Sequence, residues 1–238
     1  MIRIDFQGLF GAAKRELAAT TALLVLTLGA WGFLSIADEV AEGETRALDL
    51  AVLKALRVDG LPDALIGPKW LHIAAGDITA LGSLAVLGLL ILLAFALLAS
   101  LRRWSEGLML LIGAGGGLAI SQTLKHVFER ERPALAYRAV EAANPSFPSG
   151  HAMMSAVVFL TLGVLAARFA DRRRVKLLAV SAAVLISLLV GMSRVYLGVH
   201  WASDVLAGWC VGAAWAMVCW LAAFFIRRAF KRPSPPTP

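Results

Sequence analysis

The chain alternates long apolar runs with short polar intervals, and the lengths of both carry the first inference. Apolar runs extend from about Leu17 to Ala37, Ile78 to Leu101, Glu106 to Phe128, Ala152 to Ala170, Leu177 to Met192 and Trp201 to Ile226. Most match the length of about 20 residues that a helix needs to cross a bilayer. The pattern predicts an all-α integral membrane bundle of six transmembrane helices. The first run is too long and starts too late for a cleaved leader, so it reads as a retained span. The longest polar interval covers residues 38–78, with eight acidic and four basic residues. Inside it, Thr45 to Val58 reads as an amphipathic helix with Leu48, Ala51, Val52, Ala55 and Leu56 on one face. Such a helix lies in the interface rather than crossing it, and no catalytic part is expected of it. Gly60, Pro62, Gly67 and Pro68 then break the chain. The expected organisation is an N-terminal segment 1–16, a six-span domain 17–226, and a basic, proline-rich, disordered tail 227–238.

Composition sharpens this. The chain is 59% hydrophobic and only 16% charged, against roughly 25% charged in soluble chains, so a soluble globular domain is excluded. A net charge of +7 with a pI near 10 ordinarily points to nucleic acid, but its distribution accounts for it otherwise. The N-terminus, Arg102/Arg103 with nearby Glu106, the Arg168–Lys176 loop and the tail hold fourteen basic and four acidic residues, a balance of +10. The other side's segments, 38–78, 125–151 and 194–204, hold nine basic and twelve acidic, a balance of −3. Basic loops stay in the cytoplasm. Both termini are therefore expected there, in a cell membrane, with the amphipathic helix in the first extracytoplasmic loop. Cys210 and Cys219 share one apolar run. Nine residues of helix separate them by about 13 Å of rise, too far for a disulfide, and without a CxxC pair they do not form a zinc site.

Three charged segments emerge on the extracytoplasmic side. The first is Lys125-His126-Val127-Phe128-Glu129-Arg130-Glu131-Arg132-Pro133. Pro133 biases Arg132 away from helical geometry, so its side chain can turn back over the bundle. The second is Pro148-Ser149-Gly150-His151, where a helix begins. There Ser149 is an N-cap candidate, Gly150 permits close backbone approach, and free N–H groups face any anion. The third runs from Ser193 to Asp204. If Trp201 onward is helical, His200 and Asp204 share a face with Cβ atoms about 5–6 Å apart. Alone, that segment reads equally as an interfacial salt bridge. Together the three give three cations, an anion cradle and two histidines: a phosphate-handling set without a metal-ligand cluster. Phosphoryl transfer is catalysed mainly by positioning and electrostatics. One histidine can attack phosphorus while the other protonates the departing oxygen.

Lys-x6-Arg-Pro, Pro-Ser-Gly-His and Ser-Arg-x5-His-x3-Asp, in that order, resemble the three signature motifs of the type-2 phosphatidic-acid phosphatase superfamily. No signature position departs from the pattern, and the motif-bearing core covers about residues 106–226. The resemblance implies a metal-independent, cofactor-free membrane phosphatase acting on a lipid phosphate or diphosphate at the extracytoplasmic face. It implies His200 as nucleophile forming a phosphohistidine, Asp204 as its orienting group, and His151 as general acid and then base. Lys125, Arg132, Ser149, Gly150 and Arg194 are implied as phosphate-binding residues. A head-group phosphotransferase and, in another class, a transporter using the charges as a solute pathway are the alternatives. Transporter sites usually lie near the midplane on broken helices, whereas these charges cluster at span ends. The superfamily also resembles vanadium haloperoxidases at these motifs, from which six spans and a membrane-level site set this chain apart.

Other residues receive blander readings. His126 points about 100° away from Lys125 on a helix and reads as interfacial. His72 is given no role. Arg130 and Arg138 read as solvated surface charge. Trp31, Trp104 and Trp201 fit aromatic belts at span ends, and nothing in the spacing demands a role for Tyr196. Gly113–Gly117 lacks the Lys-Ser/Thr of a phosphate loop, so it and Gly208/Gly212 read as close helix-packing positions.

Overall fold

A computed structural model describes residues 6–142 and 144–230. The order is α1 (Phe6–Glu42), α2 (Arg46–Ala55), β1 (Arg57–Val58), β2 (Leu61–Leu65), α3 (Lys69–Ala80), α4 (Leu84–Ser100), α5 (Trp104–Phe128), a 3-10 turn Leu135–Tyr137, α6 (Gly150–Phe169), α7 (Arg173–Tyr196) and α8 (Ala202–Ala229). Among the described residues five helices are long and apolar enough to cross a membrane: Glu16–Glu42 within α1, and all of α5, α6, α7 and α8. The protein is a multi-pass membrane protein. The expected tail falls mostly outside the described residues, and its first part, Arg227–Ala229, instead completes α8.

The predicted second span is not one straight helix. α3 and α4 satisfy the length and apolarity of a span only together, bent by 50° at a short break. Ser83 starts α4 by accepting the Val86 N–H at 3.3 Å. Gly82, beside it, lies so close to Val190 and His151 that a side chain there would displace one of them. The break is thus fixed from outside the run, by packing against α6 and α7.

α6 is the central helix, packed against α5, α7 and α8, while α1 lies along α8. Small residues set the spacing. A Cβ on Gly208 would lie 2.8 Å from the Ser149 carbonyl oxygen, and one on Gly212 would lie 2.6 Å from that of Met153. Both approaches bring the start of α6 directly onto α8. Trp215 Nε1 donates to the Gly113 carbonyl at 2.8 Å, tying α8 to the glycine-rich stretch of α5. Gly208, Gly212, Gly116 and Gly117 are close helix-packing positions, as read, whereas a Cβ on Gly115 would meet nothing within 4 Å. Leu87, Ala114, Met154 and Val158 fill the junction of α4, α5 and α6. The outward Leu89, Leu92, Leu93, Leu97 and Leu185 stay exposed, as expected of side chains whose solvent is lipid.

α2 appears where the amphipathic pattern placed it, but turned. Thr45, Asp49 and Leu53 are buried while Leu48 is 67% exposed. A four-residue repeat with a threonine and an aspartate in it is not apolar patterning. Its burial is explained by what Asp49 meets in the site below.

Candidate active site

The end of α5 supplies the first cation. Lys125 lies in its last turn, and Glu129 closes the helix in a left-handed conformation at φ 42°. Lys125 is buried and its Nζ donates to the Pro145 carbonyl. Leaving the helix, the chain brings Arg132 back over the bundle, as the following proline predicted. Arg132 Nε donates to the Asn144 carbonyl at 2.6 Å and Nη1 to the Val199 carbonyl at 2.5 Å, with His200 Nε2 3.1 Å from the same nitrogen.

The N-terminus of α6 supplies the cradle. Ser149 is fully buried and caps α6, with the Ala152 N–H 3.5 Å from its Oγ. Its own N–H donates to the Asp204 carbonyl at 2.9 Å, locking the α6 and α8 termini together. The space above Gly150 is open to Ser121 Oγ at 3.5 Å and Lys125 Cε at 3.7 Å from where a Cβ would sit.

The turn between α7 and α8 supplies the imidazole. Gly198 holds φ +68°, and a Cβ there would collide with the Tyr137 carbonyl and the Arg57 guanidinium. Only glycine fits this left-handed, crowded position. Arg57 clamps the turn from below, donating to the carbonyls of Tyr196 at 3.0 Å and Tyr137 at 2.5 Å. His200 follows, 2% exposed, with Nδ1 3.3 Å from Asp204 Oδ2. Helix α8 starts only at Ala202, so the two residues face each other across the N-cap. Asp204 Oδ2 also accepts the Trp201 N–H at 2.9 Å.

Guanidinium has donors only. The 3.1 Å contact from Arg132 therefore leaves His200 Nε2 with its lone pair and the proton on Nδ1, facing Asp204. Burial, chiefly, and the nearby Arg132 and Arg194 cations lower the His200 pKa to about 3, against the opposing pull of Asp204. His200 is thus neutral, and its link to Asp204 is a hydrogen bond rather than an ion pair.

Lys125, Arg132, Gly150, His151, Arg194 and His200 line one cavity of about 240 Å³, with Gln122, Ser121 and Leu84. Arg194 Nη1 donates to Thr79 Oγ1 at 2.9 Å, while its buried Nε has no partner. Asp204 stands behind His200, and the Ser149 side chain lies beneath, in its capping role. Among the described residues no three His, Cys, Asp or Glu side chains are grouped to hold a metal ion. His126 is exposed and lines no part of this cavity.

Arg130 corrects the sequence reading. It is not solvated charge: its side chain is 15% exposed and bridges Asp204 at 2.6 Å and Asp49 at 2.8 Å. Arg138 also turns inward, donating from Nε to the Pro133 carbonyl at 2.6 Å. Asp49, Thr79, Ser146 and Ser203 were missed altogether. Each is an ordinary polar residue whose importance lies in the partner that tertiary packing brings to it.

A family model described as the PAP2 superfamily matches residues 104–228. The chain is 33% identical over 201 residues to phosphatidylglycerophosphatase B of Bacillus subtilis, covering 83% of this chain and 90% of that one. It is 32% identical over 112 residues to undecaprenyl-diphosphatase of Sulfolobus acidocaldarius, covering 45% and 50%. The crystal structure of a transmembrane PAP2-type phosphatidylglycerolphosphate phosphatase from Bacillus subtilis superposes with a TM-score of 0.73 at 30% identity. That match covers 88% of this chain and 98% of the other.

Proposed function

The chain belongs to the PAP2 superfamily, and on that premise we propose that it is a membrane lipid phosphatase working through a phosphohistidine. One observation carries the reading: all three motif segments, far apart in sequence, contribute side chains to a single cavity. The terminal phosphate of the lipid sits among Lys125, Arg132 and Arg194 above the α6 N-terminus at Gly150, whose first turn Ser149 caps. Its charge draws the Arg132 fork onto phosphate oxygens, which frees the Nε2 lone pair of His200. Nε2 attacks phosphorus in line, the N–P bond forms as the P–O bond to the lipid breaks, and His151 gives the departing oxygen its proton. His151 then takes a proton from water, the water oxygen attacks phosphorus, and the N–P bond breaks to release phosphate. Asp204 holds the Nδ1 proton throughout and stabilises the positive ring.

The finer topology belongs to the same reading. The bent α3–α4 pair counts as one span, giving six. The +10 and −3 sides place both termini in the cytoplasm and the cavity outside. α2 lies in the interface with Leu48 toward lipid, and residues 17–226 form the phosphatase domain. The relative matched over most of both chains is named for phosphatidylglycerophosphate, so that monoester is the first substrate to try. The second curated relative makes a polyprenyl diphosphate the next.

The test is phosphate release by purified protein against a panel of lipid phosphates, wild type beside His200→Ala. Wild-type release with none from the variant is expected, and release by His200→Ala at the wild-type rate removes the nucleophile. Assays with added alcohols, analysed for new phosphate esters, separate hydrolysis from phosphotransfer.

A further inference from the structure

We propose that Arg130 and Asp49, which lie outside the signature positions, form a positioning pair that fixes the Asp204 carboxylate behind His200. This rests on the reading of His200 as nucleophile.

Asp204 is fully buried and its two oxygens are used unequally. Oδ2 accepts the Trp201 N–H and the Ser146 hydroxyl and faces His200 Nδ1. Oδ1 is held by Arg130 Nη1 at 2.6 Å. Arg130 is in turn held on both arms. Nη1 also donates to Ser203 Oγ at 2.8 Å, and Nη2 donates to Asp49 Oδ2 at 2.8 Å and Thr45 Oγ1 at 3.0 Å. Asp49, 2% exposed, completes the ring by accepting from the Ser203 N–H at 2.9 Å and the Ser203 hydroxyl at 2.5 Å. Ser203 directly precedes Asp204, so α2 grips the first turn of α8 through both its backbone and its side chains.

The geometry has a chemical consequence. Three donors converge on Oδ2 only because Oδ1 is committed to Arg130. A buried carboxylate oxygen left unpaired is costly, so loss of Arg130 lets the carboxylate rotate and share those donors between both oxygens. His200 Nδ1 then loses its fixed partner, and the bare lone pair is no longer confined to Nε2. A planar fork bridges two carboxylates, whereas a lysine ammonium offers a single point charge. Asp49 keeps that fork seated and offsets its charge beside a pocket that already holds three cations.

The experiment compares Arg130→Gln, Arg130→Lys, Arg130→Ala and Asp49→Asn in the full-length protein. kcat and KM are read separately, sites are counted by vanadate binding, and the His200 ring is observed by 15N NMR, assigned by its disappearance in His200→Asn. For Arg130→Gln, kcat is expected to fall on the order of 10- to 100-fold, as when an outer partner of a site residue is lost. KM should change little, vanadate sites should stay at wild-type number, and the His200 signals should move from one tautomer toward a mixture. Arg130→Lys should retain part of the rate, and free guanidinium should restore part of it to Arg130→Ala. Wild-type kcat in both Arg130→Gln and Asp49→Asn overturns the proposal. So does a loss matched by an equal loss of vanadate sites, which marks Arg130 as structural only. Should Arg130→Gln fail to fold, Asp49→Asn, nearly the same shape without the charge, decides by the same readouts. His200→Ala separates the two claims: turnover in that variant removes the nucleophile, whereas a dead His200→Ala beside normal Arg130→Gln and Asp49→Asn removes only the positioning pair.

Discussion

At the scale of single residues, the protonation of His200 gives a direct test of the site. Its pKa is lowered from the ordinary 6.5 to about 3, first by burial and then by the Arg132 and Arg194 cations. A basic group with a lowered pKa stays neutral as the pH falls through 6.5 and gains its proton only near the lowered value. Lowering the pH from 7 to 5 should therefore not cost activity through His200. Arg132→Gln removes one of the lowering charges, so the His200 pKa rises and the acid limb of kcat/KM moves to higher pH. The rate at the optimum should also drop, on the order of 10²–10³-fold, as when one charge-stabilising donor is lost. The measurement is kcat/KM from pH 3.5 to 8 for both proteins with one substrate, whose own ionisation is common to both curves. An acid limb that stays in place or moves down contradicts the assignment of Arg132 as a charge beside His200. The cavity residues were legible in the sequence because spacing, proline and glycine fix where Lys125, Arg132, His151 and His200 leave their helices. Arg130, Asp49 and Ser146 were not legible: Arg130 and Ser146 gain their weight from different oxygens of Asp204, and Asp49 from Arg130, all of them partners distant in sequence.

At the scale of elements, the shape of the cavity depends on how closely α8 approaches α6. Gly208 faces the Ser149 carbonyl and Ala152, in the first turn of α6, and Gly212 faces Met153 one turn deeper. A methyl at either position meets backbone rather than a flexible side-chain end, so the helices must separate. Gly208→Ala and Gly212→Ala should each destabilise by roughly 1–3 kcal/mol, the usual range for overpacking, read as faster thermal inactivation. Gly208→Ala should also lose activity in the surviving protein, because the displaced turn is the one that lines the cavity with Gly150 and His151. Gly88→Ala, which meets nothing within 4 Å, is the control and should match wild type. If Gly208→Ala is as stable and active as the control, the α6–α8 contact does not shape the site. Five span-length helices and the packing role of these glycines were readable from apolar runs and small residues. The α3–α4 break was not, since Gly82 and Ser83 look unremarkable until Val190 and His151 stand against them. Nor was the face of α2, because an amphipathic pattern counts apolar side chains and cannot anticipate an aspartate buried by its partners.

For the whole molecule, the two ends are chemically distinct in three dimensions as well as along the sequence. At one end Arg228 pairs with Glu16 at 3.0 Å and Arg168 approaches Glu106 at 3.4 Å, bringing together α1, α5, α6 and α8. At the other, Arg57, Arg130 and Arg132 tie the first long loop, the α5–α6 connection and the α7–α8 turn around His200. Geometry sorts the ends without saying which faces out, and charge supplies that step: the cavity end carries the −3 segments and the opposite end the described residues of the +10 segments. Because basic loops resist translocation, exposed Asp59 near the cavity end should lie outside the cell and exposed Arg172 inside. In a background with Cys210 and Cys219 replaced by alanine, Asp59→Cys should react with a membrane-impermeant maleimide on intact cells. Arg172→Cys should react only after permeabilisation. The reverse pattern would put the cavity in the cytoplasm, where a phosphatase would draw on lipids presenting their head groups to the opposite leaflet. Labelling of both cysteines on intact cells would mean instead that the α3–α4 pair does not cross, since an odd number of crossings between residues 59 and 172 is what separates them.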